Sequence, residues 1–67
     1  MFLRFITPDG EKLYYHVVTF FHHQGSAWFA CHLISDESDE NIYCIDYRMV
    51  GDGRDYQVVR PSDIPRA

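Results

Sequence analysis

The sequence has little cysteine, no cluster of basic residues, no long apolar run and no low-complexity stretch, and each absence removes a class of function. Cys31 and Cys44 allow one disulfide at most, too few for a disulfide-built scaffold, so the expectation is a cytoplasmic protein with reduced thiols. The opening Met1–Asp9 segment is too short an apolar run for a signal or a span, and no membrane association is expected. The six cations, Arg4, Lys12, Arg48, Arg54, Arg60 and Arg66, are scattered among ten acids, giving a net charge of −4. Duplex nucleic acid is a poor partner for such a chain, because it demands several phosphate-neutralising cations on one surface.

Motifs that carry chemistry are equally scarce. Four histidines and two cysteines include no Cys-x-x-Cys and no His-x-x-x-His, and adjacent pairs such as His22-His23 point to opposite sides of a strand. No metal or cofactor is expected. Ser26, Ser35, Ser38 and Ser62 fall in turn segments with no elbow to supply an oxyanion site. Asp46 shares a strand face with Arg48 and reads as half of an ion pair rather than a general base. In Gly51-Asp52-Gly53-Arg54 an aspartate faces the place a phosphate would take. The expectation is a protein that is not an enzyme.

What is present is turn chemistry and β-forming residues. Aromatics make up 16% of the chain, and β-branched residues fill short runs. Pro8-Asp9-Gly10 presets a three-residue hairpin loop between Phe2–Thr7 and a long run, Lys12–His23. Gln24-Gly25, the charged loop Asp36–Glu40 and Gly51-Asp52-Gly53 separate further runs at Ala27–Ser35, Ile42–Val50 and Tyr56–Arg60. Pro61–Pro65 has room for one 3₁₀ turn. Ile42, Ile45 and Met49 also sit at helical spacing after the potential cap Ser38, but Ile, Tyr, Cys and Val favour a strand there. Residues 1–67 thus read as one all-β domain, a five-stranded antiparallel meander closing into a small SH3-like barrel. The closing Val58–Pro65 segment is similar to the ends of such barrels.

Pairing the runs assigns faces. The first hairpin sets Phe5 against Leu13 and Leu3 against Tyr15, and the second sets Phe20 against Phe29 and Val18 against Cys31. A five-residue loop 36–40 sets Cys31 against Ile45 and Leu33 against Tyr43. The expected core is Val18, Phe20, Phe29, Cys31, Leu33, Tyr43, Ile45 and Tyr47. Cys31 and Cys44 fall on opposite faces, so no bridge between them is expected. The other face then carries Tyr15, Val17, Phe21, Trp28, Ile34 and Ile42, too apolar for a solvent face. Either barrel closure covers it or a partner does.

These residues point to a non-catalytic protein-interaction module or a small acidic inhibitor. Tyr15, Phe21, Trp28 and Ile34 form the expected aromatic and apolar patch. Asp36, Glu37, Asp39 and Glu40 form an acidic hairpin tip suited to a basic surface on another protein. In size and charge alone the chain is similar to acidic inhibitors encoded by phages and mobile elements. A homodimer would also cover the patch. The alternative is a small-barrel binder of single-stranded nucleic acid, with strand aromatics stacking on bases and Arg4, Lys12 and Arg48 on phosphates. A third arrangement, a cation–π cage for methylated lysine around Trp28, has no motif of its own.

Overall fold

Two tight turns organise the chain in the computed structural model, which describes residues 1–36, 40–51 and 53–65. Gly10, at φ 87°, ends the Pro-Asp-Gly loop and donates its N–H to the Thr7 carbonyl at 2.9 Å. The loop joins strands β1 (Phe2–Ile6) and β2 (Lys12–His23). Gln24 and Gly25, at φ 51° and 81°, both lie in the left-handed backbone region and form a two-residue turn whose twist matches the right-handed twist of the strands it joins. It leads into β3 (Ser26–Leu33), followed by β4 (Tyr43–Asp46) and β5 (Tyr56–Val59). All pairings between named strands are antiparallel, in the order β4-β3-β2-β1-β5. The last strand therefore lies beside the first. One parallel bridge, Val50 to Tyr56, with Gly51 N–H donating to the Tyr56 carbonyl at 2.9 Å, ties the chain after β4 to β5.

The fourth run is a short strand followed by a 3₁₀ turn, Tyr47–Met49, in place of a strand reaching Val50. Asp46 ends β4 by taking the Arg48 backbone N–H on its side chain at 2.9 Å, which caps the turn. The connection between β3 and β4 is longer than the expected five residues, so the register moves by two: Phe29 faces Ile45 and Cys31 faces Tyr43. An even shift keeps each side chain on its face. Cys31 is accordingly buried, Cys44 is exposed, and both are free. A second 3₁₀ turn, Pro61–Asp63, stands where proline allowed one.

The larger departure is in β2. The first hairpin pairs as expected, with Phe5 opposite Leu13 and Leu3 opposite Tyr15. Phe20 faces Phe29 and Phe21 faces Trp28, also as expected. Between these stretches Val17 faces Cys31 and Thr19 faces Ala30, so Val18 is left over in a β-bulge. One extra residue reverses the parity of the strand: odd-numbered residues face the core before the bulge, and even-numbered residues after it. Tyr15 and Val17 thereby move from the second face, where the sequence reading set them, onto the core face.

The core is Leu3, Tyr15, Phe29, Cys31 and Ile45, with Phe5, Leu13, Val17, Leu33, Val50 and Tyr56 packed against it. Tyr15 meets Tyr43 and Tyr56 edge to face, at 5.7 and 5.8 Å. Four expected core residues, Val18, Phe20, Tyr43 and Tyr47, are instead 54, 46, 42 and 54% exposed. Among the described residues no helix is long and apolar enough to cross a membrane.

Candidate functional site

Strand lengths create the site. β1 pairs only with Lys12–His16 of β2, and the last bond across that boundary runs from Val17 N–H to the Met1 carbonyl at 2.9 Å. Beyond it β2 continues to His23 with β3 as its sole strand neighbour among the described residues. The distal part of the β2–β3 hairpin therefore projects past β1, and its side chains lack the cover that a third strand would give.

On the core side of this projection Phe20, Phe29 and Tyr47 form a cluster, with ring centroids 5.1 Å apart for Phe20–Phe29, 5.7 Å for Phe20–Tyr47 and 5.9 Å for Phe29–Tyr47. Phe29 is buried, whereas Phe20 and Tyr47 are half exposed. Beside them lies an open cavity of about 470 Å³ bounded by Met1, Phe29, Tyr47, Val58 and the arginines 48 and 54. Arg48 is engaged there: its guanidinium donates to both Asp46 carboxylate oxygens, at 3.3 and 2.9 Å. These bonds hold the Asp46 carboxyl below its ordinary range and keep the 3₁₀ turn that carries Tyr47 in place.

On the opposite side, Phe21 and Trp28 form a cross-strand pair. With His23 and Cys44 they line a shallow apolar hollow of about 220 Å³. Further along this face Phe2 stacks on His16 at 5.0 Å, and His16 stands opposite His32. His32 is buried, with Nδ1 unpartnered. Two histidines do not make a metal centre, and among the described residues no group of three or more His, Cys, Asp or Glu gathers to hold an ion.

The residues singled out in the sequence thus separate. Phe21 and Trp28 come together on the hairpin. Tyr15 is 5% exposed in the core and offers nothing to a partner. Ile34 lines a different hollow, of about 330 Å³, with Leu13, Tyr14, Leu33 and Pro65. At a rise of about 3.3 Å per strand residue, Ile34 is about 20 Å along β3 from Trp28. Asp36 lies at that same far end, bridged to Leu33 and accepting a hydrogen bond from Asn41 Nδ2 at 2.6 Å. Glu40 is exposed nearby, while Glu37 and Asp39 fall outside the described residues. Asp36 and the aromatic pair lie at opposite ends of one strand.

Phe20 and Tyr47 belong to the exposed aromatics although their pattern read as core. A signal for the hairpin was present in the charges. From Leu13 to Ser35, 23 residues contain no Asp, Glu, Lys or Arg, so all ten acids and all six bases lie outside β3 and all but the first residue of β2. Comparison with protein-family models, with curated proteins and with solved structures finds no match, so the function of this site rests on its geometry alone.

Proposed function

We propose that this chain is a non-catalytic protein-interaction module, and that the projecting end of the β2–β3 hairpin is its binding element. The observation that carries the reading is the placement of aromatics on both sides of a hairpin that outruns its neighbouring strand: Phe20 and Tyr47 on one, Phe21 and Trp28 on the other. Aromatic residues of this kind bury large areas at low entropic cost and supply most anchors at protein interfaces. Asp36, about 20 Å away along β3, and the acids that follow it in the sequence steer a partner with a basic surface rather than anchor it. An acidic inhibitor is the form of this function that suits a net charge of −4. Closure into an SH3-like barrel fits the reading too, since β5 returns to β1 and the Val50–Tyr56 bridge draws the chain after β4 toward it.

The test is cross-linking and mass spectrometry in the source cell extract, comparing the native chain with Phe21→Ala/Trp28→Ala and with charge reversal of Asp36, Glu37, Asp39 and Glu40. The expected result is loss of a specific partner with the aromatic variant, and slower, salt-sensitive association with the charge variant. Equal recovery of the same proteins by all three would remove the hairpin and the tip from the account.

One observation favours a second reading, binding of single-stranded nucleic acid. Arg48 and Arg54 border the cavity beside Phe29 and Tyr47, the combination of cation and stacking ring that such binding uses. A titration of the chain with single-stranded RNA and DNA at low salt separates the readings, because this binding must weaken steeply as salt rises.

A further inference from the structure

The hairpin has an edge as well as two faces. Thr19–His23 is regularly paired with Ala30–Ser26 on one side, and on the other no strand of the described residues lies against it. In an antiparallel ladder alternate residues turn their N–H and C=O groups outward, so this stretch offers an unsatisfied ladder. Natural sheets protect such edges with lysine, proline, an inward-pointing charge or a bulge. Beyond the bulge at Val18, the sequence Thr19-Phe20-Phe21-His22-His23 has none of these. By contrast the β5 edge is flanked by Arg54, Asp55 and Arg60, and at its start it is occupied by Val50 and Gly51.

We infer that this edge pairs with the same edge of a second copy of the chain, forming a two-fold dimer with a sheet continuous across it. The inference rests on the reading of the hairpin as the binding element and names what its edge takes. Charge decides for a second copy. A chain of net charge −4 repels its twin wherever acids face each other, but this hairpin lies within the 23-residue stretch free of formal charge, and Asp36, bridged to Leu33, lies at the far end of β3. Symmetry agrees with it: an antiparallel edge is complementary to itself under a two-fold axis normal to the sheet, an isologous contact that closes at two copies.

That axis keeps each face on its own side, so residues pair with others of the same parity. Centred on Phe21, it pairs all five residues: Phe21 with the partner's Phe21, Phe20 with the partner's His22, and Thr19 with the partner's His23. Trp28, already opposite Phe21, then begins a row Trp28–Phe21–Phe21–Trp28 across the dimer. The Phe21–Trp28 surfaces of the two copies become one continuous face for a foreign partner.

Sedimentation equilibrium across the micromolar range tests this on the full chain, with far-ultraviolet circular dichroism confirming that each variant is folded. The native chain is expected to dimerise, and Thr19→Lys, at an exposed position, to weaken the dimer by about tenfold or more. Thr19→Lys/His23→Glu is expected to recover it, because the introduced lysine of each copy then faces the introduced glutamate of the other. Within one chain these positions are about 13 Å apart along the strand. Val58→Lys, on the exposed β5 edge, is expected to leave the dimer unchanged. A native chain that stays monomeric throughout overturns the inference, as does loss of the dimer with Val58→Lys in place of Thr19→Lys. Failure of the double variant to recover overturns the register. A monomer that still loses a foreign partner with Phe21→Ala/Trp28→Ala would leave the interaction reading standing while removing the dimer.

Discussion

Val17 stands opposite Cys31 on the core face of the sheet, and the next residue along β2, Val18, stands opposite nothing. The bulge lets one strand serve the core with odd-numbered residues at one end and even-numbered residues at the other. Deleting Val18 would remove the extra residue and leave a regular ladder, Val17 opposite Cys31 followed directly by Thr19 opposite Ala30, with Leu13, Tyr15, Val17 and Phe20 all still on the core side. We expect that deletion to leave the chain folded and to change its stability in urea unfolding by about 1 kcal/mol or less, because no apolar side chain leaves the core. Val18→Thr keeps the extra residue and β-branching at an exposed position, and should shift stability by less than about 0.5 kcal/mol. A deletion that cost about 3 kcal/mol or more, as it would in a regular strand where losing one residue turns one end of β2 outward, would count against the bulge.

The thiols should react unequally. Cys31 is fully buried, and burial, with a smaller contribution from Cys44, pushes its pKa up to about 11, whereas Cys44 is exposed. A disulfide-exchange reagent at mildly alkaline pH should modify one thiol per native chain rapidly and the second only on unfolding. Mapping of the fast adduct to Cys31 would contradict the pairing of β3 with β4.

Alkaline pH should unfold the domain through its core. Burial, reinforced by Tyr56 and Tyr43, pushes the Tyr15 phenol up to about 12 from an ordinary 10.0, and the Cys31 thiol rises to about 11 from 9.0. Both groups are neutral when protonated and hold their protons more tightly in the folded state. The stability linked to them is therefore fully present below the ordinary values and is lost as pH climbs through the raised ones. Urea midpoints should hold steady up to about pH 9 and then fall, with tyrosinate absorbance showing that Tyr15 ionises together with loss of the β-sheet signal. Tyr15→Phe should blunt the fall.

The turn at Gln24-Gly25 leaves room for improvement. Gln24 holds φ 51°, a region that asparagine tolerates better than glutamine does. Gln24→Asn should stabilise the chain by roughly 0.4–1 kcal/mol in urea unfolding, and Gly25→Ala, at φ 81°, should destabilise it by more.

Turns marked by proline and glycine were legible from the sequence, and with them the five strands and the registers of both hairpins near their turns. Those residues carry their backbone angles with them, wherever the chain later packs. The Val18 bulge was not legible, because two adjacent valines suit a regular strand as well as an irregular one, and the choice falls to the packing of Tyr15 and Val17 against Leu3 and Cys31. Nor was the end of β4, where Asp46 has to meet the Arg48 backbone N–H before its role as a cap exists. The two-residue change in register between β3 and β4 preserved parity, which is why the separation of Cys31 from Cys44 held. The pairing of Phe21 with Trp28 follows directly from the Gln24-Gly25 turn, while the burial of Tyr15 depends on its lying on the other side of the bulge.

Because β1 lies inside the sheet, between β2 and β5, the earliest strand to be synthesised waits for the latest. The β2–β3 hairpin can close as soon as Leu33 has been added, since its contacts are local, but β1 keeps one side open until Val59 follows. During that interval the nascent chain exposes two incomplete strands at once, β1 and the end of β2, both rich in phenylalanine and adjoining at Met1 and Val17. Slow synthesis between Leu33 and Val59 would therefore prolong the state in which this chain is most prone to pair with the wrong strand.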